Sequence, residues 1–119
     1  MANTVSVTAS RQERQQFTGL FSNMWLVTAT WTDQDSIADD VSVSVSLTVP
    51  GVALGDAIIV PPFMNVSLLS TGQVSLYAYV SAADTVTLKL TNIDETTDAL
   101  AADAFNTYTT KFVVGRPTW

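Results

Sequence analysis

Cysteine and histidine are both absent from the 119 residues. That removes a disulfide framework, Ser-His-Asp and Cys-His nucleophile systems, and the usual zinc sites. Charge is scarce as well: 13% of residues are Asp, Glu, Lys or Arg, against about 25% in an average globular domain. The few charges are lopsided, 5 basic against 11 acidic for a net charge of −6. No basic stripe exists to meet phosphates, so nucleic acid is not an expected partner, and an anionic membrane surface is disfavoured on the same ground. No apolar run approaches the roughly 20 residues of a membrane helix. Met1-Ala2-Asn3-Thr4 carries no basic residues ahead of an apolar run, so a secretory signal is not expected.

What remains for acid–base or metal chemistry is carboxylate. Asp33, Asp35, Asp39 and Asp40 crowd one stretch. A calcium loop needs oxygen ligands at its first, third and fifth positions, then a glycine and a late glutamate. Here Ile37 takes the fifth position, and neither glycine nor glutamate follows. This stretch reads as a solvated loop, and Asp94, Glu95, Asp98 and Asp103 read the same way. Asp56 follows Gly55 at the start of an apolar run, where an Asp side chain shapes a turn by bonding nearby backbone N–H groups. Gly51–Gly55 has no following lysine or helix and is no phosphate loop. Asn65-Val66-Ser67 has the form of a glycosylation acceptor, read as chance without a secretory signal. No catalytic residue, cofactor or metal site is expected.

The positive signal is alternation. From Val41 to Val49, valine and leucine take every odd position, and serine or threonine every even one. Period two is the signature of a strand with one dry face. Pro50-Gly51 ends it, and Ala57, Ile58, Ile59 and Val60 begin a second strand that Pro61-Pro62 is expected to stop. Met24–Thr32 puts Trp25, Val27, Ala29 and Trp31 on one face, with a polar turn over Asp33–Asp40 behind it. Asn65–Leu69 is a short apolar run closed by Ser70-Thr71-Gly72. Gln73–Ser81 directs Val74, Leu76, Ala78 and Val80 inward and Ser75, Tyr77 and Tyr79 outward. After a tight turn at Ala82-Ala83-Asp84, Thr85–Ile93 turns Val86, Leu88 and Leu90 inward. Asp94–Asp103 is a long loop or a single helical turn. Asn106–Val114 is the last strand, ended by Gly115-Arg116-Pro117.

The N-terminal stretch, 1–22, is an arm or a first strand plus a helical turn; residues 23–119 are the β-sandwich domain. Thr4–Ala9 alternates and is either a strand of its own sheet or an extended arm laid on a neighbour. Ser10-Arg11-Gln12-Glu13 has capping-box spacing, and Phe17, Leu20 and Phe21 follow at helical spacing, so a short helix or a polar loop comes next. The whole reads as all-β: a single sandwich of about seven or eight strands, of jelly-roll type, because two sheets must hide their apolar faces against each other.

Leu47-Thr48-Val49-Pro50-Gly51-Val52-Ala53-Leu54-Gly55-Asp56, followed by Ile58-Ile59-Val60-Pro61-Pro62, resembles small β-sandwich structural proteins of tailed bacteriophage virions. So does Ala78–Asn92. The resemblance covers about residues 39 to 93 and the last strand. It implies a capsid decoration (cement) protein, a head fibre or a knob, often trimeric, with no catalytic residues to carry over. The function expected is therefore a virion protein on the outer capsid surface that binds the major capsid protein and stabilises the assembled head. Its rivals are a head or tail fibre or knob module that binds the host surface and, third, a glycan hydrolase working through paired carboxylates.

Low charge and Ser/Thr-rich faces point to a surface partly covered by other protein, against the rival of a monomer with an uncharged surface. The candidate interface residues are Arg11, Arg14, Phe17, Phe21, Tyr77, Tyr79 and Trp119. The tyrosine face is open to three uses: an interface, cover by the chain's own N-terminal segment, or stacking on sugars.

Overall fold

The computed structural model describes residues 4–12, 19–34, 36–38, 40–64, 74–93 and 108–119. Within them lie seven strands: β1 (Thr4–Gln12), β2 (Phe21–Asp33), β3 (Ser42–Thr48), β4 (Ala57–Met64), β5 (Val74–Ala82), β6 (Thr85–Asn92) and β7 (Thr109–Pro117). They form two sheets, in the orders β1-β2-β7-β4 and β3-β6-β5. Every pairing is antiparallel. Only β1-β2 and β5-β6 join neighbours within a sheet; every other connection changes sheets.

The fold is all-β because the alternation leaves each sheet one apolar face, and the two faces share one core. Trp25, Val27, Ala29 and Trp31 of β2 lie buried, with Phe112 and Val114 of β7, against Val45, Leu47, Leu88 and Leu90 of the other sheet. The exposed partners of that alternation on β3 are Ser42, Ser44, Ser46 and Thr48.

The Thr4–Ala9 stretch is hydrogen-bonded to its own chain here: β1 runs along β2 from Thr4 opposite Asp33 to Gln12 opposite Met24. Strand pairing takes both ends of the expected helix, whose middle, 13–18, lies outside the described residues. Ser10–Gln12, where the capping box starts it, belong to β1, and Phe21 opens β2. Pairing with β2 satisfies the backbone that a helical turn would otherwise satisfy internally. No helix occurs among the described residues. Arg14 and Phe17 lie outside them, as do Asn65–Leu69 and Asp94–Asp103.

Three other expectations need correction. Pro61-Pro62 does not stop the strand that begins at Ala57; β4 continues through both to Met64. A strand edge tolerates proline because one side needs no N–H donors, and β4 is the edge beside β7, with register shifts between Ile58 and Val60 and between Val60 and Phe63. The last strand runs through Gly115 and Arg116 to Pro117 rather than ending before them. The Asp33–Asp40 stretch is not wholly solvated: Gln34 and Ile37 are fully buried. Asn92 Nδ2 donates to the Ile37 carbonyl at 3.1 Å, so Ile37 plugs the core while its backbone keeps a partner.

Candidate functional site

The outer face of the β3-β6-β5 sheet is lined by hydroxyl and tyrosine side chains. Register places Ser44 of β3, Lys89 of β6 and Tyr77 of β5 in one row, and Ser46, Thr87 and Tyr79 in the next. A third row joins Ser42, Thr91 and Ser75, in which the Ser42 and Thr91 hydroxyls lie 2.7 Å apart. Thr87 Oγ1 donates to Ser81 Oγ at 2.8 Å. Tyr77 and Tyr79 are close to half exposed, and their rings stack on each other at 5.8 Å with 25° between planes. Lys89 Nζ sits 5.9 Å from the Tyr77 ring centre, at the outer limit of a cation–π contact. The pair is held on one face because residues two apart on a strand point the same way. No carboxylate stands on these rows.

The described acidic residues, Asp33, Asp40, Asp56 and Asp84, stand at strand ends and in loops instead. Asp33 and Asp40 lie where β2 stops and β3 starts. The flanks of the other acidic stretch meet the same end: Asn92 N donates to Val41 O, and Trp31 N to Tyr108 O.

At the opposite end a cluster of hydrogen bonds ties the loops together. Arg116 donates from Nε to Asp56 Oδ1 and from Nη2 to Asp56 Oδ2, each at 2.9 Å, and from Nη2 to the Gly51 carbonyl at 2.9 Å. Its guanidinium lies 5.2 Å above the Trp25 ring. The Arg116 pKa is held above its ordinary value by the hydrogen bond to Asp56 and that carboxylate's charge, while burial pulls the other way. Trp25 Nε1 donates to the Pro50 carbonyl at 3.0 Å. Gly51, at φ 98°, backs onto the same indole, where an added Cβ would stand 3.4 Å from the ring. Asp84, itself left-handed at φ 58°, accepts the Gly51 N–H at 2.8 Å, which binds the β5-β6 turn to the β3-β4 loop. Asp56 does shape its turn, accepting the Ala53 N–H at 2.9 Å. Its partnership with Arg116, 60 positions on, left no local trace in the sequence. These bonds link β7, the β3-β4 loop and the β5-β6 turn of the one chain, so the cluster holds loops together.

The remaining candidate residues scatter. Phe21 and Trp119 pack together at 5.9 Å, tilted by 56°, with the Trp119 side largely exposed. Arg11 stands opposite Trp25 in the β1-β2 register, far in sequence from Tyr77 and Tyr79 and on the other sheet. On the outer face of that sheet, Leu26, Thr28, Phe63, Lys111 and Val113 line a shallow groove of about 260 Å³. Sequence reading passed over Phe63, whose neighbours Pro61-Pro62 had the look of a strand end.

Among the described residues no group of three potential metal ligands converges. EDTA is expected to leave the melting temperature unchanged. A fall of several degrees would identify a bound ion, since a ligand of the native state stabilises it by mass action.

No family model, curated protein or solved structure matches this chain.

Proposed function

We propose that this protein is a structural component of a tailed-bacteriophage virion, a decoration protein that binds the outer surface of the assembled head and stabilises it. The observation that carries the reading is the β3-β6-β5 outer face: free of carboxylate, hydroxyl-lined, and bearing Tyr77 and Tyr79 beside a single lysine. Interfaces favour tyrosine and disfavour acidic residues, because tyrosine gives much contact area at little entropic cost. The resemblance of Leu47–Pro62 and Ala78–Asn92 to phage virion proteins supplies the class of partner, the major capsid protein. The pairing order supports the jelly-roll form of the sandwich. With β2, β7 and β4 adjacent in one sheet and β3, β6 and β5 in the other, β2 to β5 alternate sheets and β6 and β7 return beside them, as strands do in a jelly roll. Self-association belongs to the reading too, and three copies is the number the resemblance implies.

The test is co-sedimentation of the purified protein with head shells of the encoding phage that lack it. Saturable binding is expected, together with a rise in the temperature at which the shells break. Tyr77→Ala combined with Tyr79→Ala removes two exposed side chains, so the fold survives by circular dichroism. Each aromatic anchor lost from an interface costs about 1–2 kcal/mol or more, so affinity for shells falls at least about tenfold. Unchanged affinity would remove this face from the interface. Binding to host cells but not to shells would instead favour a fibre or knob module, whose stacked tyrosines meet a glycan.

A further inference from the structure

Edge strands present unpaired backbone groups, and proteins normally blunt them with charge, proline, bulges or irregular register. Among the described residues four strands are edges: β1, β4, β3 and β5. β4 carries Pro61-Pro62 and two register shifts, β1 carries Arg11 and a shift after Thr4, and β5 shifts register between Val80 and Ala82. β3 has none of these. Its pairing with β6 runs unbroken from Ser42 to Thr48, and no charged residue or proline interrupts it.

The direction of its free backbone groups follows from two bonds. Asn92 N donates to Val41 O, and Val49 N donates to Asp84 O. Odd-numbered residues of β3 therefore exchange hydrogen bonds with β6. In an antiparallel ladder the alternate residues turn their N–H and C=O the other way. Ser42, Ser44, Ser46 and Thr48 thus offer their backbone groups at the open edge.

We infer that β3 is a docking strand for a second copy of itself, paired antiparallel about a two-fold axis at Val45. An antiparallel self-pair centred on Val45 sets Ser44 opposite Ser46 and Ser42 opposite Thr48 of the second copy. These are the residues whose backbone groups are free, so hydrogen-bonding phase and register agree. Side chains agree as well, since directly opposed residues share a face. Hydroxyl meets hydroxyl outside, while inside Val45 meets Val45, Val43 meets Leu47 and Val41 meets Val49. Val41 is exposed and Val43 half-buried in the single copy, so the pairing covers apolar surface that β6 leaves open. Asp40 falls opposite Pro50, so the net negative charge of the copies meets no like charge along the strand. The two three-stranded sheets become one continuous sheet, and its hydroxyl face doubles. This contact does not depend on the capsid reading; alone it gives a dimer, and joined to a three-copy contact it gives a pair of trimers.

The full-length protein tests this, because it lacks cysteine and an introduced thiol stands alone. Directly opposed residues in a non-hydrogen-bonded pair have Cα atoms about 4.5 Å apart, within disulfide reach. Under mild oxidation Val45→Cys is expected to give a covalent dimer as its main product. Val43→Cys, displaced from its symmetry mate by four residues of register, gives little. Ser46→Pro deletes an edge N–H that β6 does not use, and by light scattering it should halve the mass of the assembly while the circular dichroism spectrum holds. Should that variant misfold, Ser46→Lys leaves the backbone intact, sets two ammonium groups beside the axis and is expected to dissociate the pair likewise. A monomeric wild type, equal cross-linking of both cysteine variants, or a Ser46→Lys protein of unchanged mass would each overturn the pairing. A trimer without the Val45→Cys product would do so too, while leaving shell binding to be judged by co-sedimentation.

Discussion

Replacing Trp25 by alanine is expected to lower the unfolding free energy by about 3–5 kcal/mol, the cost of deleting a large buried aromatic. The indole is almost fully buried in the core, and it also serves the hydrogen-bonded cluster at one end of the sandwich. Its N–H holds the Pro50 carbonyl, its face receives Arg116, and its edge floors Gly51. Alanine removes all three at once and leaves a void between the sheets. Trp25→Phe separates the contributions. It keeps most of the packing and leaves the Pro50 carbonyl without its donor, which adds about 1–3 kcal/mol if that carbonyl stays dry. Urea denaturation measures both. A loss under about 1 kcal/mol in the alanine variant would mean that the loop 50–56 is held without the indole.

Leu47→Ala is expected to cost about 2–5 kcal/mol. Leu47 has no exposure and lies at the heart of the shared core. Ser44, three positions earlier on the same strand, points to solvent, and Ser44→Ala should change stability by less than about 0.5 kcal/mol. The contrast tests the alternation itself. Comparable losses from the two substitutions would show that the faces of β3 are assigned wrongly.

The strands with strict alternation were legible in the sequence because one physical cause, a dry face against a wet one, writes itself at period two. Trp25, Val27, Ala29 and Trp31 are all buried, as are Val45, Leu47, Val86, Leu88 and Leu90. Where two causes compete, local reading fails. Ser10–Gln12 and Phe21 have local helix signals, but pairing with β2 and its partners wins. Pro61-Pro62 breaks a central strand but not an edge, and edge position depends on which strand lies beside β7. Ile37 looks like a stray apolar residue in an acidic loop until Asn92, from a distant strand, anchors its carbonyl. The candidate site divides in the same way. Tyr77 and Tyr79 share a face by local periodicity, whereas Lys89 beside them and the Arg116–Asp56 pair arise only from register and long-range closure.

The place of β7 bears on how the chain reaches its native state. The last of the seven strands lies between β2 and β4, in the interior of the four-stranded sheet. Until it arrives, β2 and β4 have no common neighbour, the Phe112 and Val114 side chains are missing from the core, and Arg116 cannot close the loop on Asp56. Closure of so many non-local pairings must precede their reward, which makes folding slow. During synthesis, β1 to β6 emerge as a partial sheet pair with an open slot, and the unpaired edges flanking that slot are templates for mispairing. Folding of this domain is therefore completed only after residues 109–117 have cleared the ribosome, and a chain broken off before Thr109 is left open to aggregation or proteolysis.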